Sequence, residues 1–144
     1  LEPILTIVQE RDPEARVLVR ADSMFPDQPG AVLAVRQELI AQRPDVVQTL
    51  VELHARATRY LQENPAEAAA IVAGYIGEGL IADETLQRAI EGPSTNYEAD
   101  PRRIVDSTQR MHDFQLTQGS LAAPVPLDSL FNTSFYEALG TDGN

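Results

Sequence analysis

Val46, Leu50, Leu53, Ala57 and Leu61 recur at steps of three and four, with His54 on the same stripe and Val47 and Val51 widening it. That period predicts a helix with a broad buried face. Pro44 fits its first turn, where a missing N–H costs nothing. Asn64-Pro65 ends it, because a residue before proline is pushed out of the helical region. The same pair opens a second helix. Asn64 is placed to cap it, Pro65 takes its first position, and Glu67 takes the third, close to a capping box. Residues 43–77 therefore read as two helices joined at a proline-marked corner.

On either side the pattern changes. Residues 3–9 predict a short helix opening at Pro3, too short to be stable without packing. Residues 16–20 (RVLVR) and 31–35 (AVLAV) are strand candidates, the second an apolar run of the kind buried on both faces. Between them, residues 21–30 form an irregular loop with Pro26, Pro29 and Gly30. Residues 37–41 turn helical. Beyond the break at Gly77-Glu78-Gly79, Asp83 is placed to cap a helix over 84–90, which Gly92-Pro93 ends. A polar loop fills 94–99. Asp100-Pro101 starts a helix running to about residue 118, with Ile104, Val105, Thr108, Met111 and Gln115 on its stripe. An extended connector (122–126), an amphipathic helix (128–139) and a fraying tail (140–144) complete the chain.

The fold class expected from this pattern is α/β and helix-rich, with two short strands near the start and five to six helices. Residues 1–139 make one domain or domain fragment, divided into a strand and crossover segment (1–36) and a helical segment (37–139). Two strands cannot form an independent sheet. Their partners are therefore expected outside this sequence or in another copy, which marks the chain as a fragment. The start at Leu1, without a methionine, agrees with a processed or excised piece.

Composition narrows the function. A chain of 144 residues with 43% hydrophobic content can build a core, burying roughly 70% of its unfolded surface. The net charge of −11 repels phosphate backbones and anionic lipid, so nucleic acid is not an expected partner. A small anion is still compatible, because a few local N–H groups or one arginine outweigh a screened global field. Absence of cysteine removes disulfides, thiolate catalysis and zinc–cysteine sites, and leaves the compartment open. No apolar run approaches the ~20 residues of a membrane span, so membrane insertion is not expected.

No catalytic site is expected: there is no supported Ser/His/Asp set, no paired carboxylates and no Gly-rich phosphate loop. No metal is expected, since Asp106 and His112 lie six apart, off one helix face. His54 reads as a core histidine satisfied by one hydrogen bond. Arg102 and Arg103 fall in a first helical turn, where the dipole disfavours them, so an acidic partner such as Asp106 is expected. The loop 21–30 is the candidate ligand segment. It joins the two strand candidates, carries Ser23, and ends in Pro29 and Gly30, where glycine would let backbone N–H groups approach a ligand. An ordinary crossover loop with Met24-Phe25 as an apolar pin is the alternative. Tyr97 is a further candidate contact beside a plain packing or capping role.

Several landmarks in order carry a family likeness: Glu2-Pro3 before a short helix, Arg16-Val17-Leu18, the run PGAVLAVRQELIAQRPD over 29–45, Asn64-Pro65-x-Glu67-Ala68-Ala69, Tyr97-x-x-Asp100, and Gly119-Ser120-Leu121. With these the chain resembles the C-terminal half of periplasmic substrate-binding proteins of ABC importers, in the nitrate, sulfonate, taurine and thiamine-pyrimidine group. The resemblance implies a partial lobe of the type II periplasmic-binding fold. It implies a non-enzyme without cofactors that captures a small anion, sulfonate or heterocycle between two closing lobes. The implied partners are the ligand, an ABC permease reached through the intact parent, and the missing lobe or a second copy meeting the exposed strands. The parent would be periplasmic, or extracellular and lipid-anchored. A ligand-sensing regulatory domain of the same fold, or a relative of a thiamine-pyrimidine synthesis enzyme, are the other implied readings.

Overall fold

A computed structural model describes residues 2–77, 79–92 and 95–140. In chain order its helices are α1 (Ile4–Arg11), α2 (Ala21–Met24), α3 (Gln37–Gln42), α4 (Pro44–Glu63), α5 (Pro65–Ile76), α6 (Asp83–Glu91), α7 (Val105–Thr117) and α8 (Ser134–Glu137). Tight 3-10 turns cover Pro101–Ile104 and Leu127–Ser129. The predicted corner is present: Pro44 opens α4 and Pro65 opens α5. Its capping differs from expectation. Asn64 makes no side-chain cap and instead donates back to the Tyr60 carbonyl at 3.2 Å, satisfying the end of α4. Glu67 accepts the Tyr60 hydroxyl at 2.5 Å, and that bond raises the phenol's pKa above its ordinary value.

The α/β expectation is corrected. Among the described residues there is no strand, and both strand candidates are irregular backbone. A strand exists only by pairing, and an apolar run encodes strand composition without supplying its partner. Val17, Leu18 and Val19 stay exposed, Leu18 at 93%, as do Val32 and Leu33. Two helical expectations also shift. Residues 21–24, expected as loop, form the one-turn α2. The expected helix over 128–139 is a 3-10 turn followed by the short α8. Glu78, Pro93, Ser94 and residues 141–144, with the break, stop and tail expected there, lie outside the described residues.

The residues group into two compact units, Leu1–Arg20 with Arg56–Tyr97 and Ala21–Ala55 with Glu98–Asn144, so the division falls inside α4. In the first unit, α5 packs on α6 and α1 leans on α6. The alanine-rich α5 has little side-chain bulk, and Ala69 and Ala73, one turn apart, bury against Leu86. Val72, Ile81 and Ile90 pack around them. α1 is tied down by chemistry, for none of its own side chains is fully buried. The Glu10 carboxylate accepts from the Arg88 guanidinium and, at 2.9 Å, from the buried Thr85 hydroxyl.

The Arg88 bond, and then Thr85, hold Glu10 below its ordinary value of 4.5. A depressed carboxylate contributes stability above its unfolded pKa and loses it as pH falls through its folded pKa. Amide exchange in α1 is therefore expected to quicken on acidification below the glutamate range, after correction for intrinsic rates. Glu10→Gln should show weak α1 protection already at neutral pH and no further acid-dependent loss.

In the second unit, Asp100 caps the 3-10 turn that leads into α7, accepting the Arg102 N–H at 3.0 Å. It also takes the Arg102 guanidinium at 2.7 and 2.8 Å, which holds the Asp100 carboxyl below its usual range. Arg102 thus pairs with Asp100 rather than Asp106, while Arg103 reaches Glu98 at 3.8 Å. The broad buried face expected of α4 is corrected as well. Only Val47, at 2% exposed, is fully buried, and His54 is exposed. An amphipathic stripe marks which face could be covered; cover also requires an apolar surface to meet it.

Candidate functional site

The loop predicted to carry ligand contacts folds as a clamp on α7. Phe25 N–H closes α2 onto the Ala21 carbonyl at 2.8 Å, and Asp27 adopts a left-handed φ of 60° that turns the chain. The Phe25 ring meets Phe114 edge-on, with centroids 5.4 Å apart and planes at 65°. Such pairs contribute about 0.5–1.5 kcal/mol beyond area burial. The buried Ser107 hydroxyl lies 2.8 Å from the Asp27 carbonyl, and Arg110 Nη2 donates to the Pro26 carbonyl at 3.0 Å. Ser107 and Arg110 are three apart, hence on one face of α7.

Together Met24, Phe25, Pro26, Gln28, Ser107 and Arg110 line a hollow of about 200 Å³. Small-molecule pockets run to ~300–1,000 Å³, so this volume suits a group of a few heavy atoms. Of the predicted contacts, Ser23 sits on exposed α2, Pro29 is half-buried, Gly30 is exposed, and none lines the hollow. The loop's apolar pair does. Ser107 and Arg110 escaped the sequence reading because the loop partners they reach are backbone carbonyls some eighty residues upstream; the Ser107 hydroxyl also lies 3.0 Å from the local Ile104 carbonyl.

Tyr97 belongs to the other unit and lines a second hollow of about 190 Å³, with Leu61, Gln62, Pro65, Ile90 and Glu91 among its walls. Gln62 Nε2 donates to the Tyr97 carbonyl at 2.6 Å. Thr95 closes the end of α6, its hydroxyl within 3.1 Å of the Ala89, Ile90 and Gly92 carbonyls. Burial raises the Tyr97 phenol's pKa, with the Glu2 carboxylate adding to the shift. The phenol therefore stays neutral and can only donate or accept a hydrogen bond. Among the described residues no group of three histidine, cysteine, aspartate or glutamate side chains could hold a metal, and no helix is long and apolar enough to cross a membrane.

No curated protein and no solved structure matches this chain. A family model does, over residues 14–77, somewhat under half of the sequence. The matched stretch contains the loop 21–30 and the α4–α5 corner, and excludes Tyr97, Ser107 and Arg110. Over residues 14–77, then, the chain is similar to the NMT1-like family, which belongs to the periplasmic-binding fold of nitrate, sulfonate and taurine substrate-binding proteins.

Proposed function

We propose that this chain is the solute-binding part of an ABC import system and performs no chemistry on its ligand. The observation that carries this reading is the family match across residues 14–77. The ligand class is a small anion, a sulfonate or a planar heterocycle. Its binding segment is the loop 21–30, with Ser23, Pro29 and Gly30 presented from the loop and the Arg110 guanidinium set behind it. One guanidinium N–H holds the Pro26 carbonyl, and a guanidinium has five to offer. Bidentate charge-assisted bonds from arginine suit nitrate and sulfonate oxygens. Tyr97 is a separate candidate contact, in the hollow that its own unit forms. Function would consist of capture, closure and delivery to a permease in the periplasm or at the outer face of the cytoplasmic membrane.

Isothermal titration of the full-length protein against nitrate, alkanesulfonates, taurine and pyrimidines tests this. Binding of one class is expected, weakened about tenfold or more by Arg110→Met, the loss of a charge-assisted pair. Absence of heat with all four would overturn the reading.

Partners follow from the same proposal. The exposed apolar stretches at 17–19 and 32–33 are surfaces that a further lobe or a second copy would cover. Light scattering on the 144-residue chain should then show self-association that Leu18→Asp with Val32→Asp reduces. A monomer at all concentrations would remove this part of the proposal.

A further inference from the structure

His112, on α7, uses both ring nitrogens, and its partners assign each one a role. Nδ1 lies 2.9 Å from Asp113 Oδ1, an oxygen that also accepts from Gln109 Nε2 at 2.8 Å. The histidine and glutamine bonds hold the Asp113 carboxyl below its usual range. An ionised carboxylate only accepts, so Nδ1 must carry the proton. On the opposite edge of the ring, Nε2 lies 3.0 Å from the Val125 backbone nitrogen. A backbone N–H only donates, so Nε2 must be bare. The side chain is 11% exposed. The two bonds together require the neutral Nδ1–H tautomer.

The Val125 bond joins α7 to the chain that follows it. Gly119, at a φ of 70°, reverses the backbone, and the N–H groups of Ser120 and Leu121 return to the Gln115 carbonyl. Val125 is thereby brought back alongside His112, one turn nearer the start of α7 than Gln115. The connector then leads to α8. There the Phe135 carbonyl accepts from Gln48 Nε2 at 3.2 Å, and the Tyr136 ring lies 5.6 Å from the Arg102 guanidinium carbon. Beyond the reversal at Gly119, His112 supplies a side-chain fastening midway along this returning segment.

We propose that His112 is an acid-released clasp, which holds the connector 119–126 against α7 while neutral and frees it when protonated. Protonation places a second N–H on Nε2, directly facing the Val125 N–H. Acceptor becomes donor, the bond is lost, and the Val125 N–H must turn to water. The groups facing the imidazole from α7 are Asp113, a carboxylate, and Gln109, which is neutral. The connector itself contains no titratable side chain. Protonation leaves the Asp113 side of the ring bonded and costs the Val125 bond, so the energy of the switch falls on the connector.

Amide exchange and imidazole nitrogen shifts, measured by NMR on the whole chain at about pH 7.5 and about pH 5, test the proposal. At the higher pH the nitrogen shifts should report the Nδ1–H tautomer; an Nε2–H tautomer would overturn the assignment. Between the two conditions, protection of the Val125 amide, corrected for intrinsic exchange, should fall at least tenfold, with Gln115 and Met111 amides changing little. His112→Gln keeps a neutral side chain whose carbonyl oxygen can accept from Val125 without titrating. In that variant the difference between the two conditions should vanish. Equal Val125 protection at both conditions in the natural chain, or an undiminished acid response in His112→Gln, would refute the clasp.

Discussion

Leu86→Ala is expected to destabilise the chain by about 3 kcal/mol, the middle of the ~2–5 range for leucine deletions in cores. Leu86 is 4% exposed and, among the described residues, is the one large buried side chain set among the alanines of the α5–α6 contact. Its neighbours decide the size of the effect. Ala69, 1% exposed, and Ala73 have no length with which to reach into the space left behind. Val72, Ile81 and Ile90 could shift inward, which keeps the cost below the top of the range. Urea denaturation gives the comparison, with Leu80→Ala as reference. Leu80 is exposed, so its truncation should cost less than about 0.5 kcal/mol. Equal midpoints for the two variants would mean that the α5–α6 contact is not a core.

The same contact shows why parts of the fold were legible in the sequence. Residues 44–76 could be placed because period, proline and chain direction agree there, and each is a local property. Asp100-Pro101 was legible for the same reason, and Asp100 does cap. What failed was whatever depended on a partner. Residues 16–20 and 31–35 have strand composition, and among the described residues no backbone pairs with them as a strand. His54 lies on the apolar stripe of α4, where the period indicates a face, yet it is exposed among the described residues. Glu67 does sit in the first turn of α5, as its place near a capping box predicts, but it accepts the Tyr60 hydroxyl, seven positions back, while the Asn64 N–H goes to the Tyr60 carbonyl. At the candidate site, the sequence pointed to the loop through its prolines and glycine. It could not point to Ser107 and Arg110, whose bonds go to carbonyls that any residue would supply.

The second large effect is expected at that loop. Phe25→Ala should cost about 2 kcal/mol, less than a fully buried phenylalanine because the ring is half-buried. Ser107→Ala should cost about 1–2 kcal/mol, since the residue is 3% exposed and loss of its hydroxyl leaves the Asp27 carbonyl without that donor. The two changes act on one short segment. Once the Phe25 ring no longer anchors on Phe114, the loop can leave α7, and the Ser107 bond holds something already loosened. The double variant should therefore cost less than the sum, by about 0.5–1 kcal/mol in a double-mutant cycle. Strict additivity would show that ring and hydroxyl act separately and that the loop is no cooperative clamp. Under the proposed solute-binding role the cycle has a second readout. If the loop contacts the ligand, Phe25→Ala must weaken binding along with stability; if it only braces α7, affinity per folded molecule will stay unchanged.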